Sequence, residues 1–467
     1  MAFLVVLAAL VFLMVVAYRG HSVILFAPVA ALGAVLLTDP SLVAPMFTGL
    51  FMDKMVGFLK LYFPVFLLGA VFGKVIELSG FSRAIVSAAI RVVGAQRAIL
   101  SIVLVCALLT YGGVSLFVVV FAVYPFAAEL FRQADIPKRL IPGTIALGAF
   151  TFTMDALPGT PQIQNIIPSS FFGTNGWAAP WLGTIGAVAI LVAGLSYLEW
   201  RRRAAARKGE GYGDIATLVN EPAVFAGDRL ANPVVALLPL VLVGVVNKLL
   251  TNAIPGWYGA SHAFVPGVIG APAPVVQEIS KVTAIWAVEG ALLAGIAAVI
   301  VLAWTPVVTR FAEGTKSAIG GALLASMNTA SEYGFGAVIA ALPGFLVVAD
   351  ALRAIPNPLV NEAVTVTALA GITGSASGGM SIALAAMADT FIANANATGI
   401  PMEVLHRVAA MASGGMDTLP HNGAVITLLA VTGLTHRQSY KDIFAITLIK
   451  TFAVFLVIGA FYAFDIA

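Results

Sequence analysis

Met154-Asp155-Ala156-Leu157-Pro158 returns later in the chain as Met416-Asp417-Thr418-Leu419-Pro420. Each copy interrupts a long apolar segment with an acid, a proline and a nearby glycine, Gly159 in the first and Gly423 in the second. A carboxylate beside a helix break is a poor way to build an apolar helix and a good way to build a polar site inside a membrane. The surrounding composition agrees. Of 467 residues, 60% are hydrophobic and 10% charged, with a mean hydropathy of +1.00, whereas a soluble protein carries about 25% charged residues. Lipid rather than water therefore surrounds most of this chain. The net charge of +3 is small and does not imply nucleic acid. Cys106 is alone, which excludes internal disulfides and thiolate metal sites. Residues 2–18 have no basic lead or small-residue cleavage site and read as a retained first span rather than a signal peptide.

Apolar runs fall at about 2–18, 22–38, 56–78, 139–172 (broken), 177–200, 231–250, 283–304, 318–350 (broken), 401–434 (broken) and 442–465. Two further stretches, 97–130 and 357–396, carry Gly and Ser at their middles: Tyr111-Gly112-Gly113-Val114-Ser115 and Ser375-Ala376-Ser377-Gly378-Gly379-Met380-Ser381. They suit re-entrant hairpins with tips at mid-membrane, where protein or a water-filled cavity must satisfy the irregular backbone.

The duplication is wider than its opening motif. Phe72-Gly73 echoes Phe335-Gly336, Gly112-Gly113 echoes Gly378-Gly379, and Ile136-Pro137 echoes Ile400-Pro401, at offsets of 263, 266 and 264 beside 262 for the acid motif. The expected fold is an all-α polytopic membrane protein of two inverted repeats, residues 1–200 and 230–467, joined by a charged linker at 201–229. Each repeat holds about five spans and a hairpin. With the linker in the cytoplasm, 17 basic residues fall on inner segments and 5 on outer ones, Arg407 among the outer. Both termini then lie outside the cytoplasm of a bacterial inner membrane. Inverted repeats with matched helix breaks are the mark of a secondary transporter.

Four half-helix N-termini are expected, after Gly113, Gly159, Gly379 and Gly423, and each favours an anion. Neutral donors surround them: Ser115, Thr160, Gln162, Asn165, Ser375, Ser377, Ser381, Thr418 and Asn422. Each also has a local reading, capping or back-bonding within its own helix. With no buried Arg pair in view, the lining suits a small monoanion with hydroxyls. Asp155 and Asp417 are costly at mid-depth, about 2.5–3.5 kcal/mol each. They read either as proton- or cation-coupling groups or as caps of the half-helix that follows. His421 follows only the second acid and titrates near neutrality. Glu332, in Asn328-Thr329-Ala330-Ser331-Glu332-Tyr333-Gly334, is a further coupling candidate where an apolar run is interrupted. His21, His262, His406 and His436 read as loop or interface residues. No nucleotide loop, catalytic triad, metal cluster or cofactor motif is present, so an enzyme is not expected.

The MDALPGTPQIQN stretch at 154–165, the glycine-pair hairpin tips and GGMDTLPHNG at 414–423 resemble the gluconate permease (GntP) family, and within it the hydroxybutyrate-permease-like branch. The similarity runs over essentially the whole chain. It implies proton-coupled uptake of a small hydroxy acid such as gluconate or 3-hydroxybutyrate, a scaffold with a moving transport domain, and commonly a dimer. A sodium-coupled or exchange carrier for another organic anion is the alternative within transport. An intramembrane enzyme or channel is the alternative outside it.

Overall fold

In the computed structural model described here, residues 2–467 are considered apart from 20, 95–96, 115, 215–217, 223–229, 266, 268–273, 346, 348–354 and 421. In chain order the helices are α1 (Ala2–Tyr18), α2 (Val23–Thr38), α3 (Met52–Leu78), α4 (Phe81–Val93), α5 (Ala98–Tyr111), α6 (Leu116–Gln133), α7 (Ile141–Ala149), α8 (Ile163–Phe172) and α9 (Pro180–Arg207). There follow α10 (Pro233–Tyr258), α11 (Ile279–Leu302), α12 (Phe311–Ala341), α13 (Pro358–Thr373), α14 (Ala376–Thr398), α15 (Met402–Ser413), α16 (Gly423–Thr432) and α17 (His436–Phe464). Short turns lead into α3 and precede α7, and a single turn Phe152–Asp155 lies between α7 and α8. One exposed antiparallel hairpin pairs Ser261–Phe264 with Val275–Glu278. The chain is an all-α polytopic membrane protein.

Both expected hairpins form, α5 with α6 and α13 with α14. The second shows why. Asn357 caps α13 by accepting from the Val360 amide at 3.0 Å, with Pro358 at the first helical position. Gly374, at φ +65°, ends it in the left-handed conformation that glycine adopts without penalty. Ser375 then caps α14 through the Gly378 amide at 3.1 Å. The half-helix expected after Gly379 therefore starts four residues earlier, at Ala376, because the serine side chain supplies the cap before the glycine pair. Gly379 serves another purpose: a Cβ there would overlap the Ala370 backbone, so the glycine lets the two arms touch.

One expectation is corrected. The run 318–350 does not break at Asn328–Gly334; α12 runs unbroken through it. Its glycines are packing surfaces, with Gly334 against Phe51 and Gly336 against Ile382. Among the described residues six unbroken helical stretches are long and apolar enough to cross a membrane, α14 among them. The breaks divide α7 from α8 and α15 from α16, while α1 and α2 are shorter apolar helices of 17 and 16 residues.

The helices form two groups. One holds α1–α4 and α10–α12, in which α3 packs on α12, α2 on α12 and α11 on α3. The other holds α5–α9 and α13–α17, gathered around the two breaks. Contacts between α12 and α14, and between α8 and α11, join the groups.

The charged segment after α9 is tied down where it is described. Arg139 forks onto Glu210 at 2.6 and 2.8 Å. Glu221 takes Lys138 at 2.7 Å, Arg132 at 2.9 Å and the Tyr212 hydroxyl at 3.0 Å. Burial works against the charge of Glu221, but the hydrogen bonds from Lys138 and Arg132 outweigh it and hold the carboxyl below its usual range. Arg139 holds Glu210 low in the same way. Carboxyls held low stabilise the fold fully above the ordinary value of about 4.3, and that contribution is lost as pH falls through the lower folded values. Glu221→Gln should lower the thermal midpoint at neutral pH and flatten its fall below about pH 4.5. An acid limb identical to that of the parent would remove Glu221 from this role.

Candidate functional site

The first break runs from Phe150 to Gln162 and the second from Gly414 to Asn422. Each touches the hairpin tip of its own half. The Tyr111 hydroxyl donates to Pro158 O at 2.9 Å, and Gln162 Nε2 to Thr110 O at 2.7 Å, which fastens the first tip to the first break. Asn422 Nδ2 donates to Gly374 O at 2.8 Å while its Oδ1 accepts from the Val425 amide. One side chain thus caps α16 and holds the second tip.

Two buried cations cross-link the breaks. Lys450, from α17, is 2% exposed; its Nζ lies 2.5 Å from Asp417 Oδ1 and 3.1 Å from Phe150 O. Arg407, from the middle of α15, is fully buried. Its Nη1 donates to Asp155 O and to Asn165 Oδ1, both at 2.9 Å, and Nη2 donates to Ala178 O at 2.8 Å. Arg407, counted among the outer cations, is corrected here: it is buried inside the protein, a single arginine rather than a pair. Every residue from Val404 to Ser413 is buried, and the guanidinium satisfies carbonyls that the first break leaves free. His406 is corrected likewise: it is fully buried, with Nδ1 2.7 Å from Thr174 Oγ1. His21, His262 and His436 are exposed.

Asp155 is 2% exposed and its Oδ1 has no hydrogen-bond partner. Lys450, Asp417 and Arg407 are its charged neighbours. The break thus gathers two carboxyls and two cations in a region sealed from water. The acids are unequal. Asp417 holds an ammonium directly, whereas Asp155 is bound to Arg407 only through its main-chain oxygen.

The remaining sequence-nominated residues divide by how far their hydrogen bonds are spent. Asn165 is fully engaged, its Nδ2 donating to Thr160 O and Gly176 O and its Oδ1 taken by Arg407, so it braces the break. Thr160 bonds Thr153 O at 2.7 Å, and Ser381 bonds Ser377 O at 2.6 Å. Thr418 meets Thr447 at 2.5 Å. Gln162, Ser375 and Ser377 keep part of their surface open, while Gly112, Gly113, Gly378 and Gly379 are buried at the tips. Glu332 lies against the first turn of α14 rather than at the breaks. Ser115 and His421 lie outside the described residues. Sequence reasoning missed Thr110 and Gln164, whose Oγ1 and Oε1 are buried at a tip and a break without a partner. It also missed Lys450, for which the signal exists: a lone cation inside the apolar run 442–465.

A pocket of about 250 Å³ lies beside the first break, lined by Asn175, Trp177, Lys248, Thr251, Asn252 and Glu403 among others. Lys248 Nζ sits 4.5 Å from the centre of the Trp177 ring, and that ring packs on Gly159.

No protein-family model matches the chain. It is 61% identical over 469 residues to a Bacillus subtilis (strain 168) protein, the uncharacterized transporter YxjC, covering 99% of each chain. Among solved structures it is distantly similar to the Alcanivorax borkumensis YdaH transporter, with a TM-score of 0.48 and 14% identity over 92% of this chain and 90% of that one.

Removing one partner of a buried ion pair costs about 3–5 kcal/mol, because the other charge is left alone. Lys450→Met should therefore lower the thermal midpoint of the purified protein sharply. Lys450→Met combined with Asp417→Leu should recover much of the loss. Additive losses in the double variant would show that the two groups do not act as a pair.

Proposed function

The chain belongs to the transporter family of Bacillus subtilis YxjC, and we propose that it carries a small hydroxy-monocarboxylate, of the gluconate or 3-hydroxybutyrate type, together with a proton. The observation that carries this reading is the charge arrangement at the breaks: Asp417 paired with Lys450, Asp155 unpaired, Arg407 spent on carbonyls. Two carboxylates and two cations balance. A proton on Asp155 leaves one positive charge in excess, and a buried unmatched charge is costly. A monoanion restores the balance; a dicarboxylate overshoots it. Proton and monoanion thus stabilise each other's binding, and their joint movement carries no net charge.

Recognition of the substrate is assigned to the hairpin tips and the first turns after the breaks. Ser375, Ser377, Gln162, Gln164 and Thr110 offer hydroxyl and amide groups. The starts of α8, α14 and α16 offer amides and the positive ends of their helix dipoles. Ser115 and His421 belong to the same proposal by their place in the sequence. The pocket beside Trp177 provides an approach to the first break, with Lys248 to attract an anion. Alternating access follows if the hairpins and broken helices move as one group against α1–α4 and α10–α12, in the elevator manner. The inverted duplication supplies the two related orientations that such movement needs.

Proteoliposomes test the coupling. One unit of imposed pH gradient, about 1.4 kcal/mol, drives a one-proton carrier to about tenfold accumulation. Asp155→Asn should exchange labelled for unlabelled 3-hydroxybutyrate or gluconate as the parent does, yet accumulate neither under the gradient. Tenfold accumulation by that variant would remove Asp155 from the proton's path. Absence of tracer counterflow in the parent with either acid would overturn the substrate class.

A further inference from the structure

Three buried oxygens on α12 have no hydrogen-bond partner: Asn328 Oδ1, Ser331 Oγ and Glu332 Oε2. Asn328 and Glu332 are four residues apart and so share a side of the helix, whereas Ser331, next to Glu332 and two residues from Thr329, is turned away from it. Glu332 is 3% exposed, and no charged group among the described residues acts on it. The buried cations among the described residues are committed elsewhere, Lys450 to Asp417 and Phe150, Arg407 to the first break and Lys138 to Glu221. This carboxyl is a separate feature from the acids of the breaks.

What it faces is the start of the second hairpin arm. The space that a Cβ on Gly378 would need is filled by the Glu332 carboxyl, with Ser375 Oγ 3.0 Å from the same point. One residue along, Thr329 Oγ1 lies 3.3 Å from Ser377 Oγ. Glycine at 378 thus lets a carboxyl from α12 lie directly on the first turn of α14, ringed by serine and threonine hydroxyls. The dipole at that helix start favours negative charge, but its nearest amide, that of Gly378, already donates to Ser375.

We propose that Asn328 and Glu332, with the Thr329, Ser375 and Ser377 hydroxyls, form a binding site for a dehydrated monovalent cation of the Na⁺ class between α12 and the second hairpin. The ligand set is all oxygen, which suits a hard cation. Its single carboxylate balances one positive charge, whereas a divalent ion would leave one unmatched. A proton would satisfy one oxygen and leave the neighbouring acceptors unpaired. Because the ligands come from both groups of helices, the ion binds best when the hairpin is docked on α12. It therefore favours that conformation by its difference in affinity between the states. This site does not depend on the proton assigned to Asp155.

Thermal unfolding of the purified full-length protein, at constant pH and ionic strength, tests it with NaCl, KCl or choline chloride as the salt. Na⁺ should raise the midpoint saturably above the choline value, and K⁺ should not. Glu332→Gln and Asn328→Ala should each shift the half-saturating Na⁺ concentration upward by tenfold or more. Asp155→Asn should keep the parental Na⁺ response, which separates failure here from failure of the proton assignment. Should Glu332→Gln not yield a monodisperse protein, Asn328→Ala and Thr329→Val carry the comparison. Equal midpoints in Na⁺ and K⁺, or a Na⁺ response unchanged in the variants, would overturn the proposal. A response that follows pH with no preference for Na⁺ would overturn it in favour of a proton.

Discussion

A charge inside an apolar interior has to be answered within a few ångströms, and in this chain the answer comes from the other half. Lys450 and Arg407 both arise after residue 400 and both reach oxygens released by the break near residue 155. A helix interrupted in a membrane leaves carbonyls that no water satisfies, each worth several kcal/mol if orphaned. The two cations turn that liability into register. Phe150 O fixes the first break against α17, and Asp155 O and Ala178 O fix it against α15. Such bonds are weak evidence of stability, since an apolar replacement of similar shape often does as well. Their more durable consequence is alignment of two irregular segments that have no regular backbone pairing to align them.

The features legible in the sequence are those that act locally. Pro158, Gly159 (in the left-handed conformation) and Pro161 keep the stretch ahead of α8 out of helix, so the later part of the first break follows from neighbours in the chain. The same holds for Gly374 and Ser375, which end one arm and cap the next. What escapes is whatever depends on a distant partner. Asn165 reads as an open amide until Arg407, 242 residues away, takes its oxygen. Arg407 itself is misplaced when cations are sorted by counting loops, because α15 is buried on every side. Glycines at 334 and 336 mislead in the opposite direction. In sequence they look like a break, but Phe51 and Ile382 press against them and the helix continues. Small residues in a membrane helix mark close approach as readily as they mark irregularity.

The duplicated acid motif is where these two kinds of information meet. Its copies are nearly identical in sequence, and an argument from the motif alone makes the two acids equivalent. At the 262-residue spacing that relates them, Lys450 corresponds to Val188 and Arg407 to Ile145. Val188 is more than half exposed on α9, a position that suits lipid and has no use for an ammonium. The cations are therefore single while the acids are paired. With one ammonium, only one carboxylate can hold it, and the other keeps an oxygen without a partner. The difference between the acid that holds an ammonium and the one that keeps an open oxygen thus originates outside the motif, in which half of the chain carries the lysine.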